Sequence, residues 1–171
     1  MEQWIISIIE QFGYTGILVL IALENVFPPI PSEVILSFSG FMTTRTDLTL
    51  AGVLLYATIG SVVGAAVLYG LGWKLGLRQL ERIIERYGSF VRLTTHDLHR
   101  ANGWFARYGL WTVFFCRFIP LIRSLISIPA GLGRISIGWF LLLTTIGSFI
   151  WNMIFIYLGA AAGHSWGTIT G

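Results

Sequence analysis

FFCRFIPLIRSLISIPAGLG, residues 114–133, is the stretch that decides how this chain folds. It is apolar enough to enter a bilayer, yet Arg117, Pro120, Arg123 and Pro129 interrupt it. A proline inside a helix removes a backbone hydrogen bond and clashes with the preceding turn. A charge at membrane depth costs about 2.5–3.5 kcal/mol on insertion scales. Irregular backbone survives at that depth only when it is buried in protein or lines a wet cavity. Residues 108–133 therefore read as a broken, re-entrant hairpin and not as a plain crossing. Residues 13–44 are of the same kind, carrying Glu24, Pro28, Pro29, Pro31 and Glu33. The expected hairpin-breaking positions are Pro28, Pro29 and Pro31 in one segment and Pro120, Pro129 and Gly131 in the other.

Two other stretches are clean. Residues 48–73 and 135–163 carry no charge, and each exceeds the roughly 20 apolar residues that cross a hydrocarbon core. Gly60 and Gly64 in the first, and Gly159 and Gly163 in the second, stand at a spacing that lets helices approach closely. Of the 171 residues, 55% are hydrophobic and 11% charged, with a mean hydropathy of +0.76. Soluble domains carry about 25% charged residues, so water is not the main solvent. Seven tryptophans suit a protein with two membrane–water interfaces. Glu2 and Glu10 stand where a signal peptide would be basic, so the N-terminus is read as retained, with residues 1–11 (Trp4, Ile5, Ile8, Ile9) as an interfacial helix.

Between the two halves, residues 74–107 hold seven basic side chains (Lys74, Arg78, Arg82, Arg86, Arg92, Arg100, Arg107) against Glu81, Glu85 and Asp97. The positive-inside rule places this segment in the cytoplasm. Arg78, Arg82 and Arg86 recur every four residues, with Ile83, Ile84 and Phe90 available for an apolar side. Amphipathic helices on the inner leaflet and a solvated loop that only fixes topology both remain open readings.

The order of broken segment, clean span, basic segment, broken segment, clean span suggests an internal repeat. Gly60, Ser61, Leu71, Gly72 and Gly76 align with Gly147, Ser148, Leu158, Gly159 and Gly163, an offset of 87. Phe27, Pro29 and Gly40 align with Phe118, Pro120 and Gly131, an offset of 91. The fold class expected is all-α: a polytopic helical membrane protein with two inverted repeats. Each repeat is a re-entrant hairpin plus a transmembrane helix, with amphipathic helices beside them. The chain is one membrane domain, with repeat one about 12–76, the basic loop 74–107 and repeat two about 108–163.

Intramembrane charges face a cavity or a partner, and here they are segregated by sign: Glu24 and Glu33 in the first hairpin, Arg117 and Arg123 in the second. Facing hairpins bring them together. A guanidinium fork matches a phosphate and stays charged when partly dehydrated, so Arg117 and Arg123 are the candidate substrate phosphate-binding pair. A sheltered carboxyl can exchange a proton in the physiological range, which makes Glu24 and Glu33 the candidate proton-coupling pair. The bland alternative is a static Glu–Arg lock, although buried ion pairs are a poor source of stability. Enzyme chemistry is less well served. His96, His99 and His164 lie outside the hairpins, no HExxH or cysteine cluster occurs, and Cys116 is alone in an apolar run and reads as packing. His96 and His99 share a helical face as at most a weak metal pair. No catalytic residue, metal or cofactor is expected.

Glu24-Asn25 with FPPIPSE, Gly40, YGLGWKLG, FFCRFIPLIRSLISIPAGLGRISIGWF and GSFIWNMIFIYLG, spread over about residues 12–166, resemble the bacterial DedA family, the SNARE-associated or VTT domain. The resemblance implies facing re-entrant hairpins and movement of lipid across the bacterial cytoplasmic (inner) membrane as a multi-pass protein. The family's functional membrane acids fall on Glu24 and Glu33, and its arginines on Arg117 and Arg123. The expected function is a flippase that recycles undecaprenyl phosphate and is coupled to protons. A phosphatidylethanolamine flippase or a lipid scramblase is the alternative within the family, and a structural or regulatory protein with a static lock is the alternative outside it. Expected partners are membrane lipids (polyprenyl phosphate or phospholipid) and protons or another cation, with no nucleic acid and with a homo-oligomer left open. Members usually continue for a few tens of residues beyond the part matching 164–171, often through another helix, so either this sequence is truncated or this member has an abbreviated C-terminus.

Overall fold

The computed structural model describes residues 2–27, 30–91, 94–120 and 122–170, which are helices joined by turns and short extended links. The elements are α1 (Glu2–Phe12), α2 (Tyr14–Val26), α3 (Ser32–Met42), α4 (Leu50–Lys74), α5 (Leu77–Val91), α6 (Thr95–Tyr108), α7 (Leu110–Cys116), α8 (Ile122–Leu125), α9 (Ser127–Leu132) and α10 (Ile137–Thr170). Among the described residues, two helices are long and apolar enough to cross a membrane: α4, and α10 over Ile137–Ser165. At 1.5 Å per residue, the 25 residues of α4 extend about 37 Å.

Side-chain polarity is inverted relative to a water-soluble fold. Leu55, Ile59, Val63 and Val67 form an exposed stripe on α4, and Leu142, Ile146, Phe149, Met153 and Tyr157 another on α10. Glu24, Asn25, Arg117, Arg123, Thr144, Ser148 and Asn152 are buried. Exposed apolar surface of this extent needs lipid to cover it. The chain is an integral helical membrane protein.

Each hairpin enters and leaves at one end of α4. At its Thr49 end, the Thr49 backbone N–H donates to the Tyr14 hydroxyl at 2.9 Å, and the Gly52 N–H donates to the Thr49 side chain at 3.1 Å. This fixes the start of α2. Helix α3 returns to the same end, where Thr44 beyond its C-terminus meets Gly163 of α10. The second hairpin, α7 followed by α8 and α9, is anchored at the Trp73 end: α9 packs on Tyr69 and Gly72, and Tyr69 donates to the Ile135 carbonyl. Chain reversal at Arg117–Pro120 separates α7 from α8.

The two packings are related. A Cβ on Gly40 would run into the Ile156 carbonyl, and one on Gly159 into the Ser37 carbonyl. A Cβ on Gly131 would run into the Tyr69 carbonyl, and one on Gly72 into the Ile128 carbonyl. Adding 87 to the helix residue and subtracting 91 from the hairpin residue carries Gly72–Ile128 onto Gly159–Ser37, with the halves exchanged, and Tyr69–Gly131 onto Ile156–Gly40 in the same way. Both hairpins also follow a glycine of one unusual shape, Gly13 (φ 56°, ψ −127°) and Gly109 (φ 62°, ψ −137°). Only glycine visits this region cheaply, and it lets α1 turn into α2 and α6 into α7 without an intervening loop.

Several expectations need adjustment. Pro28, Pro29 and Arg92 lie outside the described residues. Pro31 precedes α3, and Pro120 lies in the turn after α7. Pro129 and Gly131 do not break the hairpin, because both lie inside α9. Pro129 sits in the first turn, where its missing N–H has no helical acceptor to lose, and Gly131 is the point of closest approach to α4. The basic segment is helical and not a loop. The buried stripe of α5 is Leu80 and Ile84, whereas Ile83 is exposed, and the side chain of Phe90 lies outside those described. On α1, Ile5 and Ile9 are buried and Trp4 is exposed.

Candidate functional site

The hairpin tips meet inside the bundle. Glu24 and Asn25 come from the last turn of α2, Ser32 from the first turn of α3, Arg117 from the end of α7 and Arg123 from α8. Arg117 is 1% exposed, Arg123 2% and Glu24 5%. Arg123 Nη1 donates to Ser32 Oγ at 3.3 Å, its Nη2 lies 3.8 Å from Glu24 Oε2, and its guanidinium sits 5.7 Å from the centre of the Trp151 ring. Arg117 Nη2 donates to Thr144 Oγ1 at 3.1 Å and Ser127 Oγ at 3.4 Å. Its stem packs on Gly147, where a Cβ would stand 3.1 Å from Arg117 Cβ. Asn25 Nδ2 donates to Glu24 Oε2 at 3.4 Å and to the Ile21 carbonyl at 3.1 Å.

The charges do not close. Two guanidinium groups, which do not lose their protons in proteins, face one paired carboxylate. The 3.8 Å separation from Glu24 is too long for a hydrogen bond. Nε and Nη1 of Arg117, and Nε and Nη2 of Arg123, have no hydrogen-bond partner. The half-buried Glu33 makes no ion pair among the described residues. The first turn of α3, with Pro31 before it and no side-chain cap, opens beside Ser32 and adds the positive end of a helix dipole to the same place. The cluster thus has an excess of unsatisfied donors and positive charge, the arrangement that receives an anion with several oxygens.

Of the four charges that the sequence points to, the structure unites Glu24, Arg117 and Arg123 and leaves Glu33 at the edge. Ser32, Ser127, Thr144 and Trp151 complete the centre without a comparable signal in the sequence. Ser32 is accessible from the alignment of halves, because it stands at offset 91 from Arg123, its own partner. Thr144, Ser148 and Asn152 recur every four residues in an otherwise apolar run, a legible stripe. Cys116 is buried. His99 Nε2 lies 2.7 Å from Glu81 Oε1, joining α5 to α6 far from the arginines in sequence. No group of three or more His, Cys, Asp or Glu suited to a metal occurs among the described residues.

Apolar exterior, charged interior and tip-to-tip hairpins define a polytopic membrane protein with a buried centre in which two arginines face one paired carboxylate. The VTT domain matches residues 30–161, and the chain belongs to that family, the DedA family of membrane proteins. It is 52% identical over 172 residues to an "Alkaline phosphatase-like protein" of Lactococcus lactis subsp. cremoris, covering 100% of this chain and 80% of that one. It is 44% identical over 169 residues to "Undecaprenyl phosphate transporter A" of Staphylococcus aureus, covering 99% and 83%. It is 32% identical over 162 residues to the Bacillus subtilis protein of the same name, covering 95% and 78%. No solved structure matches the chain.

Proposed function

We propose that this chain is a lipid carrier of the bacterial cytoplasmic membrane that moves undecaprenyl phosphate between leaflets. In this reading Arg117 and Arg123 receive the phosphate, and Glu24 and Glu33 exchange protons as it passes. The observation that carries the reading is the set of four buried guanidinium nitrogens without partners. The names of the staphylococcal and Bacillus relatives support the same substrate.

The two halves act as inverted repeats whose hairpins open from opposite ends, so the phosphate site faces one leaflet and then the other. The basic Trp73 end is the cytoplasmic one. Phosphatidylethanolamine is the rival lipid, because its ammonium would find a carboxylate in Glu33, which makes no ion pair among the described residues, and competition in the transport assay separates the two. The phosphatase-like name of the lactococcal relative fits recognition of phosphate. The transporter names of two relatives favour reading the chain as a carrier rather than an enzyme.

The test is transport of labelled undecaprenyl phosphate by purified protein in liposomes. Lysine keeps the charge of arginine but not its fork. Losing one charged hydrogen bond, about 1.5–3 kcal/mol, lowers transport by Arg117→Lys and Arg123→Lys about tenfold or more. Melting in detergent stays close to that of the parent protein, and excess phosphatidylethanolamine does not compete. Full transport by both variants, or loss of folding in step with loss of transport, defeats the phosphate clamp. A static lock predicts instead that Glu24→Arg combined with Arg123→Glu restores the parent protein's behaviour.

A further inference from the structure

Beyond the arginines, a second polar feature runs through the bundle. Thr144, Ser148 and Asn152 lie at successive four-residue steps on the inner face of α10, 0%, 1% and 0% exposed. Eight residues of helix set Thr144 and Asn152 about 12 Å apart. The lower end of this stripe is Thr144, already bonded to Arg117. At its upper end Asn152 Nδ2 donates at 3.4 Å to both Thr58 Oγ1 and Ser61 Oγ of α4, and Asn25 packs one turn along α4 against Gly64. The opposite face of α10, with Ile146, Phe149 and Met153, is apolar and faces lipid, so the stripe is segregated and not scattered.

The column is also unsatisfied. Ser148 Oγ, Asn152 Oδ1, Asn25 Oδ1 and Trp151 Nε1 are buried without a hydrogen-bond partner. Buried polar groups are almost always paired, with protein or with ordered water, and a buried water needs two to four polar partners within reach. Alternating hydroxyls and amides, each with a spare donor or acceptor, supply them. Among the described residues, the ionisable groups at the column lie along its arginine side: Arg117 at Thr144, Arg123 over Trp151 and Glu24 beside Asn25, with Glu33 on α3, the helix that packs on α10. Beyond Thr58 and Asn152 the fully buried Val53, Ala57 and Ile156 close it toward the Thr49 end.

We propose that the α10 stripe Thr144–Ser148–Asn152, with Thr58 and Ser61 of α4, is a hydrated path that carries water and protons between the arginine–glutamate centre and the Thr49 end. The inference rests on the carrier reading above for its purpose, but its physical content, water at these positions, is separable. In this conformation the apolar plug shuts the outer end, and movement of the α2–α3 hairpin against α4 and α10 opens it during the cycle.

The experiment uses the full chain in liposomes containing undecaprenyl phosphate, with Cys116→Ser as background. Ser148→Cys, Asn152→Cys and Thr58→Cys are compared with the lipid-facing Met153→Cys for reaction with a charged methanethiosulfonate reagent, which needs a thiolate and therefore water. Positions 58, 148 and 152 react at least about tenfold faster than 153, because thiolate persists only where water reaches. Rates as slow as that of position 153 at all three overturn the proposal. A second measurement uses Asn152→Leu, which removes the polar group at similar volume. It binds undecaprenyl phosphate as the parent protein does, yet loses about nine-tenths of the proton uptake that accompanies transport, the scale of one broken relay step. Unchanged proton uptake sinks the path and leaves the phosphate site standing, whereas loss of lipid binding by Arg117→Lys bears on the phosphate site alone.

Discussion

Arg117 illustrates how little of the buried charge serves stability. One nitrogen is held by Thr144 and Ser127, two have no partner, and no carboxylate lies within salt-bridge distance of it. Replacing such an unpaired charge with an apolar side chain of similar length removes an uncompensated desolvation cost. Arg117→Met is therefore expected to melt at or above the parent temperature in detergent while losing transport, and a fall of many degrees contradicts this account. Thr144→Val does the opposite to the fold, because it strands a charged donor, and it lowers the melting temperature. Outside the membrane, Asp97 has its carboxyl held below its ordinary value of 3.8, chiefly by the Thr94 hydroxyl. The two form a reciprocal cap on α6. A depressed carboxylate stabilises above its unfolded pKa and stops doing so as pH falls through its folded one. Protection of the α6 amides, measured relative to their intrinsic exchange rate, thus falls as pH drops below the ordinary value of 3.8, while Thr94→Ala, at a cost of about 1 kcal/mol, brings the Asp97 titration by carbon-13 NMR up toward 3.8. Arg117, Arg123 and Glu24 were legible in the sequence because charge in an apolar run demands a reason. The neutral half of the centre carried a fainter signal, the offset of 91 for Ser32 and the four-residue recurrence for Thr144, and only the packing shows that they face the arginines.

The hairpins depend on glycine at their closest approaches. Gly40 and Gly131 each press a helix against a neighbour's carbonyl, and no rotamer change relieves a backbone clash. Gly40→Ala and Gly131→Ala are expected to cost about 1–3 kcal/mol, as overpacking does, and to lower the melting temperature of the detergent-solubilised protein together. Gly70, which has open space around it, provides the control: Gly70→Ala leaves stability unchanged or raises it by up to about 1 kcal/mol. Equal effects at all three positions contradict the paired-packing account. The broken segments were recognisable as elements because proline and charge both argue against a continuous helix. Their internal boundaries were not, because proline is a breaker only by position: Pro129 enters a helix that its ring would have ended two turns later. The basic segment left helix and loop equally open, since its charges recur at helical spacing while half of its apolar face, Ile83, stays exposed. What settles it is contact that no local pattern reports, Leu80 and Ile84 against Leu98, Leu125 and Ile128.

For the whole molecule, orientation follows from the excess of arginine and lysine at the Trp73 end. In a Cys116→Ser background, Thr46→Cys is modified by an impermeant reagent from outside the cell and Thr95→Cys is spared; the reverse pattern inverts the molecule in the membrane. The all-helical, lipid-exposed architecture was legible from two uncharged spans and the low charge content. The meeting of the tips was legible only through the expectation that the two halves repeat. That meeting has its own consequence, carried by the contact between Ser32 and Arg123. These residues are each other's counterparts at offset 91, so they sit where a rotation axis relating the halves would pass, and any residue on such an axis confronts its own equivalent. A molecule assembled from two copies of the second half would set Arg123 against Arg123, and one made from two copies of the first would set serine against serine and leave Glu24 with no arginine to face. Opposite charges face each other at the centre only because two unlike halves share one chain, and neither half can stand in for the other.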